Sequence, residues 1–157
     1  SVATMVQAKI GMSGGFAFDV QAVCAGFVFA LSNANAMILS GQAERVMVIG
    51  AETFSRILDW SDRTTSVLFG DGAGALIVER QEGNGTTADR GILSTDLHSD
   101  GTYRELLYVD GGVSTTGKAG QLRMQGNQVF RHAVEKLAQT AHTALDKAGL
   151  SGEDVDW

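Results

Sequence analysis

The sequence offers a single thiol, and its surroundings decide what chemistry is open to it. Cys24 stands in Asp19-Val20-Gln21-Ala22-Val23-Cys24-Ala25-Gly26-Phe27, where a short extended segment meets a long apolar stretch. At the start of a helix, unpaired N–H groups and the positive end of the dipole favour thiolate over thiol. Ala25 and Gly26 are small enough for an incoming acyl group to approach the backbone. This combination suits a nucleophile that forms a covalent intermediate. A lone cysteine packs equally well as a small apolar side chain, and spacing alone leaves both roles open. One cysteine excludes an internal disulfide framework and a cysteine-based zinc cluster, and it fits a reducing compartment.

The remaining candidate motifs carry less. Gly70, Gly72 and Gly74 lie in Phe-Gly-Asp-Gly-Ala-Gly, which lacks both the Walker lysine and the dinucleotide glycine spacing, so a structural turn is the better reading. His132 and His142 fall on the polar side of an amphipathic helix, where a solvated histidine is the ordinary case. Arg63 in a polar loop reads by itself as a solvent-exposed cation. A net charge of -6 argues against a nucleic-acid surface. No run of about 18 uninterrupted apolar residues is present, and the first residues lack a signal-peptide profile, so the cytoplasm is the expected location.

The elements that must hold these residues are marked by glycine, since 20 glycines accompany no proline. Val2, Met5, Val6 and Ile10 recur at helical spacing up to Gly14-Gly15. Phe16 to Val20 then reads as a short strand. Cys24 to Ser40 carries no charge and ends at Gly41, so it is expected to be a helix buried on nearly every side. Arg45 to Gly50 reads as a parallel strand covered on both faces, completing a βαβ unit. Ala75 to Val78, Ile92 to Leu97 and Leu106 to Val109 read as further strands, and Gly111 to Gly120 as a mobile loop. From Gly126 to Ala148 one apolar stripe defines a helix that Gly149 stops. The chain opens without methionine and closes on Asp154-Val155-Asp156-Trp157 as an apolar alternation begins, so it is expected to continue at both ends.

Four segments resemble, in order, the signatures of β-ketoacyl-acyl carrier protein synthase III. They are Asp19 to Leu31, Phe69 to Ala75, Leu-His-Ser-Asp-Gly at 97–101, and Met-Gln-Gly-Asn-Gln-Val-Phe at 124–130. The resemblance runs along essentially the whole chain. It implies an α/β, thiolase-like fold of layered α-β-α-β-α architecture, here incomplete. Residues 1–80 would be the latter part of the N-terminal half, and 81–157 the beginning of the C-terminal half.

The resemblance further implies that Cys24 takes an acyl group, usually acetyl, from acyl-coenzyme A. Decarboxylative condensation with malonyl-acyl carrier protein then starts fatty acid biosynthesis. Arg63 and Thr64 match positions at the coenzyme A entrance, where a guanidinium can stack on adenine and attract phosphate. Met124, Gly126 and Phe130 match the lining of the pantetheine tunnel, although the stripe on its own would equally make Phe130 core. No cofactor and no metal are implied, because acyl-coenzyme A is a substrate. A homodimer joined through Phe16 to Val20 is expected. The histidine and asparagine that assist decarboxylation in the family would follow Trp157, so this stretch by itself is not expected to complete condensation. Gln21 and Val23 depart from the common pattern beside the nucleophile. Other readings are a thiolase, a 3-hydroxy-3-methylglutaryl-coenzyme A synthase-like enzyme or a secondary-metabolite ketosynthase, all of which keep the cysteine. Different in kind are a cysteine hydrolase and a non-catalytic acyl-carrier-binding subunit.

Overall fold

A computed structural model describes residues 1–156, and Trp157, where the alternation begins, lies outside the described residues. The chain divides into two compact units, each described by itself: residues 1–48 with 76–80, and 49–75 with the remainder from 81.

The first unit opens with helix α1 (Val2–Lys9), where the Ser1 side chain caps the Thr4 N–H. Phe16 to Val20 is extended but is not a strand. An extended segment becomes a strand only by ladder pairing, and among the described residues this one has no partner strand. The expected βαβ unit is therefore corrected. A single 3-10 turn at Val23–Ala25 leads into helix α2 (Gly26–Leu39), which buries Ala34 and Ile38 one turn apart. Val28 and Leu39 stay exposed among the described residues, which cover one face of the helix.

Strand β1 (Arg45–Glu52) pairs with β2 (Gly72–Glu79) in a two-stranded sheet, and each strand gives one part to each unit. In the first unit the Arg80 N–H donates to the Glu44 carbonyl at 2.9 Å, and Arg45 pairs with Glu79. The start of β1 thus lies beside the end of β2, so the two run in opposite directions. Neither is the parallel, doubly covered strand that the apolar run suggests: Val48 is buried while Met47 and Ile49 are exposed. Gly72 and Gly74 lie inside β2 rather than in a turn.

In the second unit, Asp62 caps the one-turn helix α3 (Arg63–Ser66), and Phe54 stacks on Phe69 with centroids 4.9 Å apart. Strand β3 (Leu107–Val109) pairs antiparallel with β4 (Leu122–Met124), Tyr108 standing opposite Arg123. No strand forms at Ile92 to Leu97; there the Ser94 hydroxyl donates to the Ala144 carbonyl and Lys147 pairs with Asp96, fixing the segment along the last helix. That helix, α4 (Gly126–Ala148), ends at Gly149 in the left-handed region (φ 67°), as the sequence predicts. The Gly111 to Gly120 segment is closed by local contacts. Thr115, Thr116 and Gly117 N–H groups all converge on the Gly112 carbonyl, and a Cβ on Gly120 would stand 2.1 Å from the Gly111 nitrogen.

Leu122 on β4 is buried. Truncation of a buried leucine removes its transfer energy and leaves a cavity. Leu122→Ala is expected to lower unfolding stability by about 2–3 kcal/mol in denaturant titration.

Candidate functional site

Cys24 is exposed, in the 3-10 turn that delivers the chain into α2. The residue before it carries the strain. Val23 has φ 50°, the one positive value outside glycine among the described residues. A β-branched side chain is badly suited to that region, because its Cβ approaches the carbonyl. Val23 is 72% exposed, so its own packing does not hold the turn. Two polar contacts flank it instead. The Val23 N–H donates to Gln21 Oε1 at 3.3 Å. Four residues upstream of Val23, the Asp19 carboxylate accepts the Val2 N–H at 3.0 Å and the Ala3 N–H at 2.8 Å, at the first turn of α1. Those donors have no partner within the helix. The Ala3 N–H, the Ser1 side chain and the Val2 N–H together hold the Asp19 carboxyl below its ordinary value. The two departures from the family pattern, Gln21 and Val23, thus touch each other beside the nucleophile. At the entry of α2 the N-cap, Ala25, offers no side-chain cap.

The other expected site residues belong to the second unit. Arg63 and Thr64 are exposed on α3, which packs against β4. Asp62 anchors that helix by accepting the Thr64 N–H at 2.9 Å, the Thr64 hydroxyl at 2.6 Å and the Thr65 hydroxyl at 3.0 Å. These contacts, led by the Thr64 hydroxyl, hold the Asp62 carboxyl low. Thr65 is fully buried, so the helix is tied to the unit's interior. Met124 ends β4, and a Cβ on Gly126 would lie 3.5 Å from Met124 Cε. Phe130 is 68% exposed among the described residues. Within this unit α3, which carries Arg63 and Thr64, contacts β4, which ends at Met124, and Gly126 and Phe130 follow on α4. His132 is not simply solvated, since its ring lies 4.0 Å from that of Tyr103.

The Phe69 to Ala75 signature has a mechanical role. Asp71 accepts the Ser55 N–H at 2.7 Å and its hydroxyl at 2.8 Å, pinning the chain that follows β1.

Comparison with known proteins decides the lineage. Residues 18–101 match the family described as 3-Oxoacyl-[acyl-carrier-protein (ACP)] synthase III. The chain belongs to this synthase III family. It is 78% identical, over its whole length, to a β-ketoacyl-acyl-carrier-protein synthase III of Ruegeria pomeroyi, covering 48% of that protein. It is 77% identical, again over its whole length, to the corresponding synthase of Rhodobacter capsulatus, also 48% of that protein. Among solved structures, the synthase III of Aquifex aeolicus superposes with TM-score 0.87 at 42% identity, over 99% of this chain and 46% of that one. The Pseudomonas aeruginosa synthase III gives 0.89 at 34% identity, over 99% and 47%. The fold is thus the thiolase-like α/β fold of these synthases, and the chain spans about half the length of the relatives it matches. Among the described residues no helix is long and apolar enough to cross a membrane.

Two measurements probe the turn. Replacing Val23 with glycine relieves about 1–2 kcal/mol of positive-φ strain, offset by about 0.5–1 kcal/mol of added backbone entropy in the unfolded chain. Val23→Gly is therefore expected to match or exceed wild type in thermal unfolding, whereas Ala30→Gly inside α2 loses about 1 kcal/mol. Asp19 is the second probe. A carboxylate with a lowered folded pKa contributes stability above its unfolded value, about 3.9, and loses it as pH falls through the folded value. Asp19→Ala is expected to unfold more easily than wild type at neutral pH, and the gap should close as pH drops below about 4.

Proposed function

We propose that this chain supplies the acyl-accepting part of a β-ketoacyl-acyl carrier protein synthase III. Cys24 takes an acyl group, preferentially acetyl, from acyl-coenzyme A, and the acyl-enzyme condenses with malonyl-acyl carrier protein to a 3-oxoacyl product that starts fatty acid synthesis. The observation that carries this reading is Cys24 set in the 3-10 turn that enters α2, directly after Val23 at φ 50°. A thiol at the entry of a helix suits thioester formation, and in this reading the Cys24 N–H polarises the thioester carbonyl.

In this reading Arg63 and Thr64 receive the nucleotide end of coenzyme A, while Met124, Gly126 and Phe130 border the pantetheine arm. No cofactor is consumed. Residues 1–80 belong to the first thiolase-like half and 81–157 open the second. The enzyme works in the cytoplasm as a homodimer joined through Phe16 to Val20. Support for that edge comes from Phe16 and Phe18, both exposed and stacked on each other at 6.3 Å along an extended segment that pairs with no strand among the described residues.

The test is product formation. The full-length protein carrying this chain should turn acetyl-coenzyme A and malonyl-acyl carrier protein into acetoacetyl-acyl carrier protein. Cys24→Ala should abolish the acetyl-dependent reaction, and the 157-residue chain alone should make no condensation product. Undiminished turnover by Cys24→Ala contradicts the assignment.

A further inference from the structure

Arg123 joins two parts of the second unit that lie far apart in sequence. Its Nε donates to Asp110 Oδ2 at 2.7 Å, its Nη1 to Asp59 Oδ2 at 3.2 Å, and its Nη2 to Gln121 Oε1 at 3.2 Å. Each partner is itself committed. Asp110 Oδ1 accepts the Gln121 N–H at 2.8 Å, so this carboxylate closes the end of the β3–β4 hairpin. Asp59 Oδ1 accepts both the N–H and the hydroxyl of Ser61, at 3.1 and 2.6 Å, and its carbonyl accepts the Asp62 N–H at 3.0 Å. Asp62 is the cap of α3. An unbroken path of hydrogen bonds therefore runs from Arg123 through Asp59 and Asp62 to the helix that carries Arg63 and Thr64.

The other end of the path is equally short, since Arg123 immediately precedes Met124 on β4. A planar guanidinium with its donors in a fixed fork can hold two carboxylates at a set separation, which a lysine ammonium cannot do. Both pairs are partly exposed, so their value lies in geometry more than in stability: side-chain exposure is 41% for Arg123 against 21% for Asp59 and 37% for Asp110.

We infer that Arg123 is a positioning residue for acyl-coenzyme A, fixing the α3 end that meets the nucleotide against the β4 end that meets the pantetheine arm. The inference rests on the acyltransferase reading above and assigns it a residue that touches no reacting atom. Its consequence concerns binding of the long donor, not the chemistry at Cys24.

The test compares two acetyl donors with the full-length protein: acetyl-coenzyme A, and the acetyl thioester of N-acetylcysteamine, which lacks the nucleotide. Arg123→Met should raise KM for acetyl-coenzyme A by about tenfold or more, the scale of lost charged hydrogen bonds, with kcat little changed. Acetylation by the short thioester should stay within about twofold of wild type. Because Arg123 acts through α3, its effect on KM should largely vanish in an Arg63→Ala background, where only coupled residues depart from additivity. If Arg123→Met does not fold, Asp59→Asn offers the same comparison with the hairpin contact intact. Equal losses with both donors, an unchanged KM, or full additivity with Arg63→Ala would each overturn the inference. Failure of the wild-type protein to acetylate Cys24 from either donor would overturn the acyltransferase reading itself, and this inference with it.

Discussion

The Asp19 carboxylate bonded to the first amides of α1 is the contact on which the nucleophile's setting depends. Between that anchor and the first turn of α2 only a few residues remain, and within them the chain must turn sharply enough to bring Val23 to φ 50°. Left to itself a valine would relax to negative φ, so the turn persists only while both ends are held. Asp19 holds one end and α2, seated through Ala34 and Ile38, holds the other.

The second unit solves a different mechanical problem with the same chemistry. Its loops are tied by aspartates that accept backbone N–H and hydroxyl donors: Asp71 on Ser55, Asp62 on Thr64 and Thr65, Asp110 on Gln121. Each carboxyl is held below its ordinary value by these bonds. Much of the acidic excess of the sequence is thus spent on loop geometry. Acidification weakens such contacts as the carboxylates protonate, around α3 and at the hairpin alike.

The sequence was most legible where a periodic pattern met a clear stop. The stripe from Val129 to Ala148 and Gly149 beyond it define α4 to the residue. It was least legible where structure depends on partners distant along the chain. Phe16 to Val20 and Ile92 to Leu97 have strand composition but no ladder partner among the described residues, and composition cannot supply one. The apolar run at Arg45 suggested a parallel strand, yet pairing with β2 turns it into one side of an antiparallel pair with much of its surface exposed. At the site, ordered signatures contain Cys24 and Met124, whereas Arg63 lies outside all four and was marked only by its match to the coenzyme A entrance. Asp19 was visible as a signature residue, though not as a clamp. Val23 was visible only as a departure. Arg123 gave no signal, because its partners Asp59 and Asp110 lie 64 and 13 positions away.

The claim that this constrained turn presents an acyl acceptor is tested most directly by locating the acyl group. The full-length protein is treated with acetyl-coenzyme A in the absence of malonyl-acyl carrier protein, digested, and mapped by mass spectrometry. The account predicts a single acetyl thioester on the peptide bearing Cys24, removed by hydroxylamine. An unmodified Cys24 after saturating donor, or an acetyl group on a different residue, would contradict it.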